Sequence, residues 1–459
     1  MQRHHTLRSK AVIAAVAAVA VVAALSGCTA GGAAGTGGPS KSGTVHWWGW
    51  TPDDNEAQQQ ITAFNKQYPK IKVVFKKIQD ANYNAALRPA LASPSGPDVY
   101  NVAAGGATGD IVTFGSNAVD LTDAMVKARG ADWKKGLYPA GISSFTQNGE
   151  LKGAQVGRIA AGFVWINKGL FDQYGLSAPT TLDEWKQVCK AFRSKGLGCF
   201  REGIGQPGFD VDTLHSISDS IKPGVFTDAT EGKVEWTDPT LVKAWSTFKE
   251  LSTDGILDDG ATGVQQYPDV NNAFLAGKVP MVQMGSWYQQ YTAKKPLQAA
   301  VEAAGVPADT AAITMVPVPF PDVAGKGNTP KLFGDPDYGL AVNSRSTATN
   351  AAKTFVTWFS TSTAAQQIVA DHLTDYPAVE DVSTDWDAAD LINQPVQEPA
   401  LKDLGKRIND VTQARQAKLP ADMIQALVSA NQSVIAGQSS PREAAEGVQT
   451  AFEASQSQQ

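Results

Sequence analysis

Cysteine and histidine are both scarce in this chain. Three cysteines among 459 residues cannot staple a disulfide-dense secreted scaffold. Of five histidines, only His46, His215 and His372 lie beyond the leader, far apart and without a cysteine cluster, so no zinc or iron site is expected and no cofactor. Basic clusters are missing too. With 39 Lys+Arg against 45 Asp+Glu the net charge is −6, which argues against nucleic acid and against electrostatic attachment to a membrane. The chain has no Gly-x-Ser-x-Gly elbow, no His-Glu-x-x-His and no Cys–His pairing in one context, so it is read as not an enzyme. Two glycine patterns fail on their surroundings. Gly35 to Ser42 imitates a phosphate loop, but Ser40 stands where the second glycine belongs and no strand precedes it. Gly203-Ile204-Gly205-Gln206-Pro207-Gly208 has dinucleotide spacing, but Arg201-Glu202 precede it and Pro207 interrupts the turn.

One long apolar run is present, from Ala11 to Leu25, after Arg3, Arg8 and Lys10. It falls short of the roughly 20 residues a comfortable span needs and reads as an export signal over residues 1–27. Leu25-Ser26-Gly27-Cys28 resembles a bacterial lipobox, making Cys28 the expected lipidation site and the membrane anchor. Residues 28–43, rich in Gly, Ala, Ser and Thr, form a flexible tether with no means of burying a core. If Cys28 carries lipid, Cys189 and Cys199 remain as a pair outside the reducing cytosol. The alternatives are a short-loop disulfide, contributing roughly 2–3 kcal/mol through the unfolded state, or two buried thiols, and the disulfide is the expectation.

The roughly 400 residues beyond the tether suffice for two or three domains. Thr44 to Trp48 alternates like a strand, and Asn55 to Tyr68 puts Ala57, Ile61, Phe64 and Tyr68 on one helical stripe ended by Pro69. Strands follow at Ile71–Phe75, Asp98–Ala104, Phe163–Ile166 and Val279–Met284. Thr181-Leu182-Asp183-Glu184 matches a capping box and Asp238-Pro239 a cap with proline in the first turn. Ala348 to Val369 and Ala421 to Ala436 read as helices. Strands separated by helices indicate βαβ units and a mostly parallel sheet. Ligands of open α/β sheets bind beyond the strands' carboxyl ends. Three such ends carry Gly beside aromatic or small residues: Gly49-Trp50, Ala104-Gly105-Gly106 and Gly285-Ser286-Trp287-Tyr288.

Six short motifs, in order, carry a family resemblance: Trp47-Trp48-Gly49-Trp50, Gly96-Pro97-Asp98-Val99-Tyr100, Gly149-Glu150-Leu151-Lys152-Gly153, Ile166-Asn167-Lys168-Gly169-Leu170-Phe171, Ala178 to Trp185, and Phe274-Leu275-Ala276-Gly277-Lys278 leading to Gly285-Ser286-Trp287. From Val45 to Phe452 the chain resembles the extracellular solute-binding proteins of carbohydrate ABC importers, the group that includes maltose-binding protein. The fourth motif departs from the family in having Ile166 for the usual Tyr. The resemblance implies an α/β fold of two lobes joined by a hinge and closing on ligand, with crossings near Gln155 and Val316–Phe320. Lobe 1 is expected over 44–155 plus 319–365 and lobe 2 over 156–318 plus 366–459. It further implies a lipid-anchored extracytoplasmic protein, a monomer, that binds a sugar or oligosaccharide and hands it to the importer's transmembrane permease subunits. A peptide or polyamine ligand is the alternative, with a secreted glycosidase behind it.

Pyranose faces are apolar and ringed by hydroxyls, so aromatic faces and charged hydrogen-bonding groups suit them. The expected ligand residues are Trp50, Trp165, Trp287, Tyr288 and Phe209 among the aromatics, Gly105 and Gly106 at a strand end, and Asp53, Asp54, Arg158, Asp210, Asp335 and Asp337 among the charged groups. Trp47 and Trp185, inside periodic elements, are assigned to the core.

Overall fold

The computed structural model describes residues 42–106, 108–307 and 313–457. The leader and Cys28 lie outside them. No helix among the described residues is long and apolar enough to cross a membrane.

The strands run in chain order as β1 (Gly43–Gly49), β2 (Ile71–Lys77), β3 (Val99–Ala103), β4 (Thr146–Gln147), β5 (Glu150–Leu151), β6 (Ala154–Gln155), β7 (Gly157–Ala161), β8 (Phe163–Asn167), β9 (Phe200–Arg201), β10 (Met281–Gln283), β11 (Met315–Pro319), β12 (Phe333–Pro336), β13 (Tyr338–Val342) and β14 (Tyr376–Pro377). They make a five-stranded sheet β2-β1-β3-β13-β6, a four-stranded sheet β11-β8-β10-β9, a three-stranded sheet β12-β7-β14, and the β4-β5 hairpin.

In the first sheet β1 runs parallel to β2 and β3, and β13 and β6 run antiparallel. Val45 and Trp47 alternate inward with exposed neighbours, while β13 is buried throughout, as in a strand covered on both faces. The helix Asp54–Gln67 is capped by Asp53, which accepts from the Glu56 N–H at 2.8 Å, and it buries Ala57, Ile61 and Phe64 against this sheet.

The second sheet corrects the parallel expectation. β8 follows β7 with only Gly162 (φ +95°) between them, so it runs away from the hinge. β10 and β11 pair with β8 antiparallel and run back toward the hinge. Their carboxyl ends therefore still face the gap between the lobes. The helix Leu182–Arg193 buries Trp185, Val188, Cys189 and Phe192. Its capping box is displaced by one residue: Thr181 accepts from the Glu184 N–H, but the Glu184 carboxylate accepts from Thr180. Cys189 and Cys199 form the expected disulfide, with Cα atoms 5.0 Å apart. Asp238 caps the helix Pro239–Thr253 at the Thr240 N–H, 2.7 Å away.

Apolar packing separates the lobes. One cluster covers Val45 to Val156 and Tyr338 to Val369, and two others fill the second lobe. The boundary expected at 319 moves, because Phe320 and Val323 pack in the second-lobe core. The prolines of β11 sit on an edge strand, where a missing N–H is tolerated. The boundary expected at 365 also moves. The single helix expected from Ala348 to Val369 is broken at Ser362, whose hydroxyl accepts from Ala365. Its second half stays on the first lobe, where Gln366 donates to the Val156 and Phe359 carbonyls. Tyr138 donates to Ala378, and Asp385 to the Asp371 carboxylate, on the same lobe. Ala389 and Leu391 then join the second-lobe core.

Candidate functional site: the interlobe cleft

The first-lobe wall begins at the end of β1. Asn101 on β3 accepts from Trp47 Nε1 at 2.8 Å and donates to the Thr51 carbonyl at 2.7 Å, which fixes the turn carrying Trp50. A Cβ on Gly49 would come within 2.8 Å of that amide, so glycine is required there. Trp50 is half-buried. Tyr83 braces it edge-on at 4.8 Å and Tyr338 at 6.3 Å, and Gly109 lies flat against its ring. Gly105 and Gly106 meet Gln416, and a Cβ on Gly105 would stand 2.6 Å from the Gln416 carbonyl oxygen. Gly105 is thus met by the strap backbone and Gly106 by the Gln416 side-chain oxygen.

The second-lobe wall is aromatic. Phe209 opens the helix Phe209–Ile221 after Gly208, whose φ of +101° turns the chain into it. Its ring lies 6.0 Å from Tyr267 and 6.3 Å from Trp287, and Trp287 Nε1 donates to the Tyr267 hydroxyl at 3.2 Å. The Arg415 guanidinium rests 4.9 Å over the Trp287 ring, a cation–π contact. Arg415 Nε donates to both Asp212 oxygens, at 2.9 and 2.8 Å.

Arg415 arrives on a strap, Val411–Lys418, that crosses the cleft. Asp335 accepts from the strap N–H groups of Arg415, Gln416 and Ala417, at 3.0, 2.6 and 2.9 Å. Gln416 donates to the Gly208 carbonyl at 2.6 Å. Gln413 is held by His215, Thr227 and Asp219, and His215 is clasped between Phe226 and Phe333 at 4.2 and 3.8 Å. The lobes also touch directly, where Gln206 donates to Asp80 at 2.9 Å.

Carboxyl groups dominate the hinge end. Burial pushes Asp337 up to about 6 and Asp375 well above the usual range, the Asp337 charge adding to the rise at Asp375. Burial, with Asp53 nearby, pushes Glu56 up to about 8. Burial also raises Asp335 and Asp80.

Several expected ligand residues are corrected. Trp165 and Tyr288 are wholly buried in the second-lobe core, where Trp165 Nε1 donates to the Gly285 carbonyl and the Tyr288 hydroxyl to Asn271. They hold the loop that carries Trp287. Asp210 is wholly buried and accepts from Asn431 at 2.8 Å. Asp53 is the helix cap and Asp54 an exposed first-turn residue. Arg158 packs its guanidinium 3.4 Å from the Tyr138 ring centroid. It lies on the face of β7 opposite Gly157, which abuts Asp375. The structure brings together Trp50, Gly105, Gly106, Phe209, Trp287, Asp335 and Asp337. Sequence reading missed Asp80, Tyr267, Asp375, Arg415 and Gln416. The strap has no periodicity and no glycine pattern to mark it.

Two α/β lobes, crossed by paired strands and facing each other across an aromatic and acidic cleft, match one family model over residues 48–366, "Bacterial extracellular solute-binding protein". The chain belongs to that family. This solute-binding protein therefore acts outside the cytoplasm, and its family comprises binding proteins rather than enzymes. Solved structures share its fold. One from work on xylan utilisation by Caldanaerobius polysaccharolyticus is 22% identical, with a TM-score of 0.69 over 89% of this chain and 99% of that one. A chitin oligosaccharide binding protein is 20% identical, with a TM-score of 0.68 over 90% and 99%. Maltose-bound MalE3 of T. maritima is 18% identical, with a TM-score of 0.68 over 89% and 99%. Comparison with curated protein sequences finds no match.

Proposed function

We propose that the solute is a sugar or oligosaccharide, held in the interlobe cleft and delivered to the permease of an ABC importer. The observation that carries this reading is the pairing of Trp50 on one wall with Phe209, Tyr267 and Trp287 on the other. Beside those rings stand Arg415 and Asp337, which can bind hydroxyl pairs. The relatives named for chitin oligosaccharide and maltose support it. The test is a thermal-shift screen against mono- and oligosaccharides, polyamines and short peptides. A ligand at 100 times its Kd adds about 2.7 kcal/mol, and a stabilising sugar is the expected result. Stabilisation by amines or peptides alone rejects the sugar.

We further propose that Cys28 carries a lipid that anchors the protein outside the cell membrane, as the lipobox-like tetrapeptide indicates. Cys28→Ala is expected to release the protein from the membrane fraction or to block its processing. A variant processed normally and still membrane-bound refutes the anchor.

A further inference from the structure

Both cleft indoles lie flat on a glycine. A Cβ built on Gly285 would stand 2.0 Å from Cζ3 of Trp287, and 2.4 and 2.5 Å from Cη2 and Cε3. Such close distances to three neighbouring ring carbons place Gly285 over the face of the ring and not at its edge. Gly109 stands in the same relation to Trp50, where a Cβ would lie 2.5 Å from Cζ3 and 2.8 Å from Cη2. Each wall therefore closes one face of its indole with a residue that has no side chain.

The two glycines differ in what calls for them. Gly109 has a φ of +67°, a left-handed backbone that favours glycine whatever lies above it. Gly285 has φ −86° and ψ −169°, extended backbone open to any residue. Nothing in its own conformation requires glycine, so the requirement comes from the ring of Trp287, two residues on. Hydrogen bonds fix the peptide around Gly285. Its carbonyl accepts from Trp165 Nε1 at 3.0 Å and from the Tyr288 N–H at 3.1 Å, and the Ser286 hydroxyl accepts from the Ala160 N–H of β7 at 3.0 Å. The wholly buried indole of Trp165 thus holds the glycine, and the glycine supports the half-buried indole of Trp287. At its far end that indole is tied to the Tyr267 hydroxyl.

We propose, taking the cleft as the sugar site, that Gly285 is a positioning residue: it closes one face of Trp287 and holds the indole in a single orientation before solute arrives. A side chain ordered in advance surrenders less freedom on binding. The first carbon added at position 285 removes the seat. The Trp287 ring, half-buried and at the end of its side chain, must then swing away. That movement costs the fold little and the site its aromatic surface.

The test has one arm without ligand and one with it. Full-length mature protein is labelled with fluorotryptophan, and fluorine NMR follows the line that Trp287→Phe removes. Gly285→Ala is expected to shift or broaden that line and to keep a melting temperature near that of the wild type. In calorimetry with maltotriose and with chitotriose, Gly285→Ala is expected to lose roughly 30-fold in affinity, as Trp287→Ala does. The double variant Gly285→Ala/Trp287→Ala is expected to bind as Trp287→Ala does, because the glycine acts only through the ring. An unmoved Trp287 line overturns the seat, as does full affinity in Gly285→Ala or a further loss in the double variant. A melting temperature that falls together with the affinity assigns the glycine to the fold and also overturns it. Where neither saccharide binds the wild type, it is the choice of sugar that fails, and the fluorine line alone decides the seat. Should Gly285→Ala fail to fold, Trp165→Phe removes the hydrogen bond to the Gly285 carbonyl, and a Trp287 line left unmoved by it overturns the proposal.

Discussion

The first-lobe wall of the cleft presents one indole, Trp50, held edge-on by Tyr83 and Tyr338. The second-lobe wall presents three rings, Phe209, Tyr267 and Trp287, with a guanidinium laid on the last of them. Behind the two walls the support differs in kind. Trp50 rests on Tyr83, Tyr338 and Gly109, on a turn that Asn101 fixes through the Thr51 carbonyl. Trp287 stands on a loop tied to buried Trp165, beside a strap pinned by Asp335, Asp212 and His215. A wall with more rigid aromatic surface gives up less entropy on binding. We propose that the second lobe is the surface on which ligand lands, and the first lobe the one that closes over it.

Three substitutions separate these roles, beginning with the largest effect. Trp185 is wholly buried between Phe200 and Phe320, 5.0 and 5.5 Å from their rings, away from both walls. Trp185→Ala is expected to lose about 3–5 kcal/mol of stability in chemical denaturation and to leave the intrinsic affinity of the folded protein unchanged. Trp287→Ala is expected to weaken binding of the cognate solute by about 2 kcal/mol or more, roughly 30-fold, in calorimetry, with little change in melting temperature. Trp50→Ala is expected to weaken it by about tenfold or less, in line with a single aromatic contact. A larger loss from Trp50→Ala than from Trp287→Ala would invert the assignment of the walls. Normal binding by Trp287→Ala, with binding abolished in a folded Trp185→Ala, would move the cleft elsewhere.

Much of the fold was legible because the signals were local. The stripe Ala57, Ile61, Phe64 and the cap at Asp238-Pro239 specify their helices from neighbouring residues alone. Strand ends followed by Gly and Trp pointed to Trp50 and Trp287 as candidates for the two walls. What sequence could not convey was depth. Trp165 and Trp287 look alike in the chain, yet one points into the core of β8 and the other leaves the end of β10 for the cleft. Arg415 and Gln416 were illegible for another reason. Their importance depends on Asp212 and Asp335, far away in sequence, and no local pattern encodes such a meeting. The crossing expected near Val316–Phe320 falls elsewhere because β11 pairs with β8, far away in sequence, and Phe320 packs in the second-lobe core.

One detail of the first sheet bears on how the molecule is made. β13 lies between β3 and β6, although β6 ends at Gln155 and β13 begins only at Tyr338. A chain delivered from its amino terminus has β1, β2, β3 and β6 available long before the strand that joins the last two. Until Val342 has emerged, β6 has no partner in the sheet and β3 lacks one of its neighbours. A protein that works outside the cytoplasm must pass a membrane, and here the first sheet cannot be completed before three quarters of the chain, through Val342, is in hand.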